Sequence, residues 1–272
     1  YRAFVCNFVS TGSVSIEGLT VLYSGGPGFT SYGATVPVSI SNVVLSHNSF
    51  GNAGGIMLYH NLTDVTISDV TVSHNSSGIN AGGLYANSNV AGQHITITGS
   101  RFTDNRTDGG GGAIYARRSS LVVSNTTFEG AGNEALNGGG IISVSSDAVI
   151  TGSTIRDNHG YIGGGVFNLY GTMVVDASTV SGNEAEWLCG GLLGDYGALT
   201  IENSTVSGNS SAQGGAIVIA HGSGLTLSSS TVTANTASAV EGVDGILLLG
   251  VAAGLIGSRG SIVAGNGAID LG

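Results

Sequence analysis

A short phrase returns along this chain every 25 to 31 residues. A hydrophobic residue, two intervening residues and an asparagine recur at Leu45–Asn48, Val72–Asn75, Phe102–Asn105, Ile155–Asn158, Val180–Asn183, Val206–Asn209, Val232–Asn235 and Val263–Asn266. Asn133 fills the remaining slot, with Phe128 displaced from it by a small insertion. Glycine pairs follow most of these asparagines, at Gly54–Gly55, Gly82–Gly83, Gly111–Gly112, Gly139–Gly140, Gly164–Gly165, Gly190–Gly191 and Gly214–Gly215. Alternating segments such as HITIT (94–98) and LTIEN (199–203) open the units. A repeat of this length, with short strands and no helix-period leucines, predicts one turn of a parallel β-solenoid.

Stacking coils explains the asparagine. Each coil lies about 4.8 Å above the last, so equivalent side chains form columns and the amides can bond up and down a ladder. Ser153, Ser178, Ser204 and Ser230 predict a second, narrower column. The glycines are expected where the backbone needs positive φ or close approach. Nine to ten coils would give an all-β rod of roughly 45 Å.

Composition agrees with a packed β protein. Glycine contributes 48 of 272 residues, but no three-residue period accompanies it and only 9% of residues are charged. The net charge is −10 and all seven basic residues are arginine, so the basic footprint of a nucleic-acid binder is missing. The most apolar run, 245–257, is too short to span a bilayer. Two cysteines, Cys6 and Cys189, are too few for a disulfide framework, and by coil count they belong well over about 20 Å apart, beyond bridging distance. No cofactor is expected.

FTDN (102–105) followed by GGAI (111–114) resembles the paired motifs of chlamydial polymorphic outer-membrane proteins. NSTVSGNSSAQGGAI (203–217) is similar to the repeats of large bacterial surface proteins built as right-handed, pectate-lyase-like β-helices. The resemblance covers roughly residues 14–271. It implies a single right-handed parallel β-helix domain over 1–272 and an extracellular or cell-surface location. Adhesins, passenger domains and polysaccharide enzymes share such motifs, so activity stays open. Residues 1–13 are apolar enough to cap their end, whereas the C-terminal residues stop within an ordinary coil. That end is expected to need further chain or a stacked subunit.

Outward columns hold the candidate sites. If the first apolar residue after each glycine pair points inward, then Tyr85, Tyr115, Ile142, Phe167, Leu193 and Val218 form an outward stripe. Tyr85, Tyr115, Phe167 and Leu193 are its expected binding residues: the stripe could dock a protein or a second copy, stack on sugar rings, or lie beneath a neighbouring loop. His47, His74 and Asp104 take equivalent places in successive coils and make a weak candidate metal group. Asp157, Asp176, Glu184, Glu186 and Asp195, with Arg156, fall within two coils and are the candidates for acid–base chemistry on a glycan. The leading expectation is an adhesive or structural surface module. The alternative is a polysaccharide-binding protein, or a glycoside hydrolase or lyase.

Overall fold

The structure, a computed structural model, describes residues 3–88, 93–130, 132–250 and 256–266. Among these there is no helix; the chain winds through four parallel sheets. Sheet A takes the strand that follows each glycine pair, from Phe4–Asn7 to Ile246–Leu249. Sheet B takes the alternating segments, such as His94–Thr98, and sheet C the short strands before the asparagines, such as Thr179–Ser181. These three sheets have ten strands each, which makes about nine turns. Sheet D, seven strands from Ser76–Ser77 to Thr236–Ala237, lies between the asparagine and the next glycine pair. Phe4–Asn7, within the expected cap, pairs in register with Phe29–Tyr32 as the first strand of sheet A. The expected bare C-terminal end falls partly on residues 267–272, outside the described residues.

The core follows from strand alternation. In sheet B, Ile95 and Ile97 point inward with Leu121, Val123, Leu199 and Ile201 from other coils, and none is more than 1% exposed. The Phe102 and Phe128 rings stack inside at 5.2 Å. A fully buried Leu or Ile contributes about 1.5–3 kcal/mol relative to exposure, so each coil brings its own share of stability.

The ladder forms as the spacing predicts. The ladder asparagines are buried, and from Asn48 to Asn235 the Nδ2 of each donates to the next coil's Oδ1, as from Asn158 to Asn183 at 2.8 Å. That Oδ1 also accepts the Asn158 backbone N–H at 3.1 Å, which fixes which way the amide faces. At Asn133 the two-residue insertion folds into a turn closed by Asn133 N–H to Gly130 O, 3.0 Å, and the side-chain ladder continues to Asn158. The serine column works differently. Ser178 Oγ donates to its own coil's Asp176 carbonyl and accepts the Ser153 N–H from the coil before.

The glycine pairs serve close approach. A Cβ on Gly164 would lie 2.3 Å from the Glu184 carbonyl oxygen, and one on Gly82 would lie 2.4 Å from the Arg106 nitrogen. In both cases the obstacle is the residue just after the next coil's ladder asparagine. Corners with positive φ are taken mostly by other residues, among them His47, His74, Asp104, Asp157, Tyr170, Tyr196 and His221. Their alignment in rows reflects coil stacking, at a cost of roughly 1–2 kcal/mol per non-glycine residue.

Candidate functional site

The outward stripe on sheet A has the expected direction and the opposite exposure. Leu84, Ile114, Val166 and Leu192 point into the core. Tyr85, Phe167 and Leu193 point away from it, yet are only 5%, 8% and 3% exposed; Tyr115 is half-buried. The chain covers its own stripe. The ends of the sheet D strands His159–Ile162 and Glu184–Leu188 turn over the outer face of sheet A, and Ile162, Leu188 and Cys189 pack on Ile142, Phe167, Leu193 and Val218. The turn is tight: a Cβ on Gly163, at φ 68°, would lie 3.0 Å from the Phe167 Cβ. Burial pushes the Cys189 thiol up to about 12 and also raises the Tyr85 phenol. Tyr85, Phe167 and Leu193 therefore line no open surface, and Tyr115 is only partly exposed.

The acidic candidates do not converge. Asp157 is at an exposed corner, 3.7 Å from Arg156. Asp176, on sheet B, accepts from Asn203 Nδ2 at 2.8 Å. Asp195 ends a sheet A strand, 2.7 Å from His221 Nδ1, and His221 stacks on Tyr196. Glu184 and Glu186 share sheet D and border one shallow groove of about 240 Å³ with Ser210, Ser211 and Thr236. Arg156 is engaged by Glu129, a nearly buried carboxylate that also binds Arg101. The repeat alone does not pair them, because Glu129 sits beside the insertion that displaces Phe128 from its column.

His47 and His74 align at the corner row as expected, with Tyr23 stacked before them; ring centroids are 4.9 Å apart at both steps. Successive rings are tilted by 35° to one another. His74 Nδ1 lies 3.8 Å from Asp104 Oδ2. Among the described residues, no group of three or more His, Cys, Asp or Glu is placed to hold a metal ion, so these three do not form one.

An open groove lies elsewhere, on the outer face of sheet A in its first three coils. Its volume is about 440 Å³. Tyr32 and Tyr59 stack along one wall at 5.4 Å, and Phe8, at 76° to Tyr32, closes the end of the stack. Thr30 and Met57 occupy the stripe positions beneath, while Phe50, Asn52 and Asn7 complete the lining. Gly33 lets Phe8 lie there, since a Cβ would come within 2.8 Å of the ring. Thr30 is fully buried, and among the described residues its hydroxyl has no hydrogen-bond partner. The sequence carried a signal for this groove, an aromatic closing the strand in two successive coils at Tyr32 and Tyr59. The asparagine ladder begins only at Asn48, after Tyr32, so the repeat spacing alone does not align the two.

No curated protein and no solved structure matches the chain. A family model described as a right-handed β-helix region matches residues 82–266, more than half of the sequence. Together with the stacked parallel coils, that match shows the chain to be a member of the right-handed β-helix family.

Proposed function

We propose that this chain is a rigid, non-catalytic binding module of an extracellular or cell-surface protein, adhesive in kind, that holds its target on the outer face of sheet A. One observation carries the reading: an open, aromatic-lined groove persists in the first three coils, on a face that the chain seals for itself farther along. The scatter of Asp157, Asp176 and Asp195 over different faces supports binding over turnover, because acid–base cleavage needs two carboxyls across one substrate. The acidic, lysine-free composition disfavours anionic partners. The paired FTDN and GGAI motifs support the surface location.

Binding of the purified chain to immobilised polysaccharides and to intact cell surfaces, with product release followed in parallel, tests the reading. Retention without cleavage is expected. Turnover abolished by Glu184→Gln or Glu186→Gln, the two candidates that share a groove, would replace the module with an enzyme. Failure to bind any surface would remove the adhesive role.

A further inference from the structure

Resting on that reading of a binding module, we infer that the groove of the first three coils is a site for a neutral sugar, an uncharged oligosaccharide that meets Thr30 with one of its hydroxyls. The first argument is the orphaned oxygen. A buried hydroxyl without a partner costs stability, and such groups in folded proteins require an explanation. Thr30 Oγ1 is such a group, in a residue that lines the groove. The hydroxyl is covered in this structure, so a ligand hydroxyl reaches it as the side chains over it shift, and then supplies the missing bond.

The second argument is the chemistry of the walls. Among the described residues, no Asp, Glu or Arg lines this groove. A charged ligand would find no counter-charge there. Asn7, Asn52 and the tyrosine hydroxyls supply donors and acceptors together, which suits a ligand whose own groups are both. Phe8, Tyr32, Phe50 and Tyr59 add apolar ring surface for C–H faces. A purely apolar ligand would use the rings and leave the amides and Thr30 unpaired, which is costly. A peptide cannot add as a strand beside Phe29–Tyr32 at the centre of the groove, because that strand is already paired on both sides, with Phe4–Asn7 and Ile56–Tyr59. The volume falls within the roughly 300–1,000 Å³ of small-ligand sites.

The test is titration calorimetry of the whole chain with neutral cello-, xylo-, manno- and galacto-oligosaccharides, and with polygalacturonate as the charged control. Saturable binding of at least one neutral series is expected, with polygalacturonate weaker. Thr30→Val, the same shape without the hydroxyl, should weaken binding about tenfold and leave the melting temperature equal or higher. Tyr59→Ala should weaken it further. A Thr30→Val chain that binds as the parent does, or a preference for polygalacturonate, would overturn the inference. So would capture of a protein surface by the groove while every neutral sugar is ignored. A parent chain retained on polysaccharide as well as its Thr30→Val and Tyr59→Ala variants would overturn the inference alone and leave the binding module standing. A chain that binds nothing in either assay would overturn both.

Discussion

Asn183 Nδ2 donates to Asn209 Oδ1 across 2.9 Å, although 26 residues separate the two along the chain. Asn183 also donates to the Ile155 carbonyl at 3.0 Å, and its own Oδ1 accepts twice from Asn158. Every polar atom of this buried amide is therefore used, and removing the amide strands groups in two neighbouring coils. Asn183→Leu is expected to lower stability by roughly 1–3 kcal/mol. Urea denaturation measures this, and an unchanged midpoint would mean that the ladder carries no stability.

Gly164 packs against the backbone of Glu184 rather than against a movable side chain. Gly164→Ala should therefore cost about 1–3 kcal/mol through overpacking. Gly222→Ala is the control. That corner has φ 78° and nothing within 4 Å of the added Cβ, so its loss comes from backbone strain alone. If Gly164→Ala melts with the parent, sheet D does not press on the glycine turn.

Thr172 holds Asp147 from the next coil, donating from Oγ1 at 2.5 Å and from its backbone N–H at 3.1 Å. Those bonds favour the carboxylate and lower the Asp147 pKa below 3.8. A depressed folded pKa gives stability that is present above pH 3.8 and lost as the pH falls through the folded value. Thr172→Val keeps the backbone donor and removes the larger effect. A carboxyl titration followed by nuclear magnetic resonance should show Asp147 moving back toward 3.8. No movement would mean that the hydroxyl does not bond the carboxylate in solution.

Cys189 titrates the other way. Its thiol is buried beside Leu193 and Phe167, and its pKa rises from 9.0 to about 12. A raised folded pKa leaves stability intact below pH 9 and removes it as the pH climbs from 9 toward 12. The parent chain should lose stability more steeply than Cys189→Ala as the pH climbs from 9.0 toward about 12. Tyr85 contributes to the alkaline slope in both chains, so the difference between them isolates the thiol. Parallel curves would place Cys189 in contact with water. In the native state, a maleimide should label the half-buried Cys6 well before Cys189.

The ladder, the coil period and the inward rows were legible in the sequence because each depends only on a neighbour one repeat away. Asn183 needs Asn209 above it and Asn158 below, and the 25–31-residue spacing states as much directly. Strand alternation likewise determined which side Phe167 and Leu193 take. What lies over that side was decided by the tertiary structure. Phe167 and Leu193 are sealed by Ile162, Leu188 and Cys189, whereas Tyr32 and Tyr59 on the same sheet line an open groove. That difference comes from how each coil's turn folds back over sheet A, a long-range packing choice that leaves no period in the sequence. The pairing of Glu129 with Arg101 and Arg156, the dispersal of the five carboxylates and the orphaned Thr30 hydroxyl have the same origin. Each depends on which side chains meet across coils and around corners, and a one-dimensional repeat records only that they share a column.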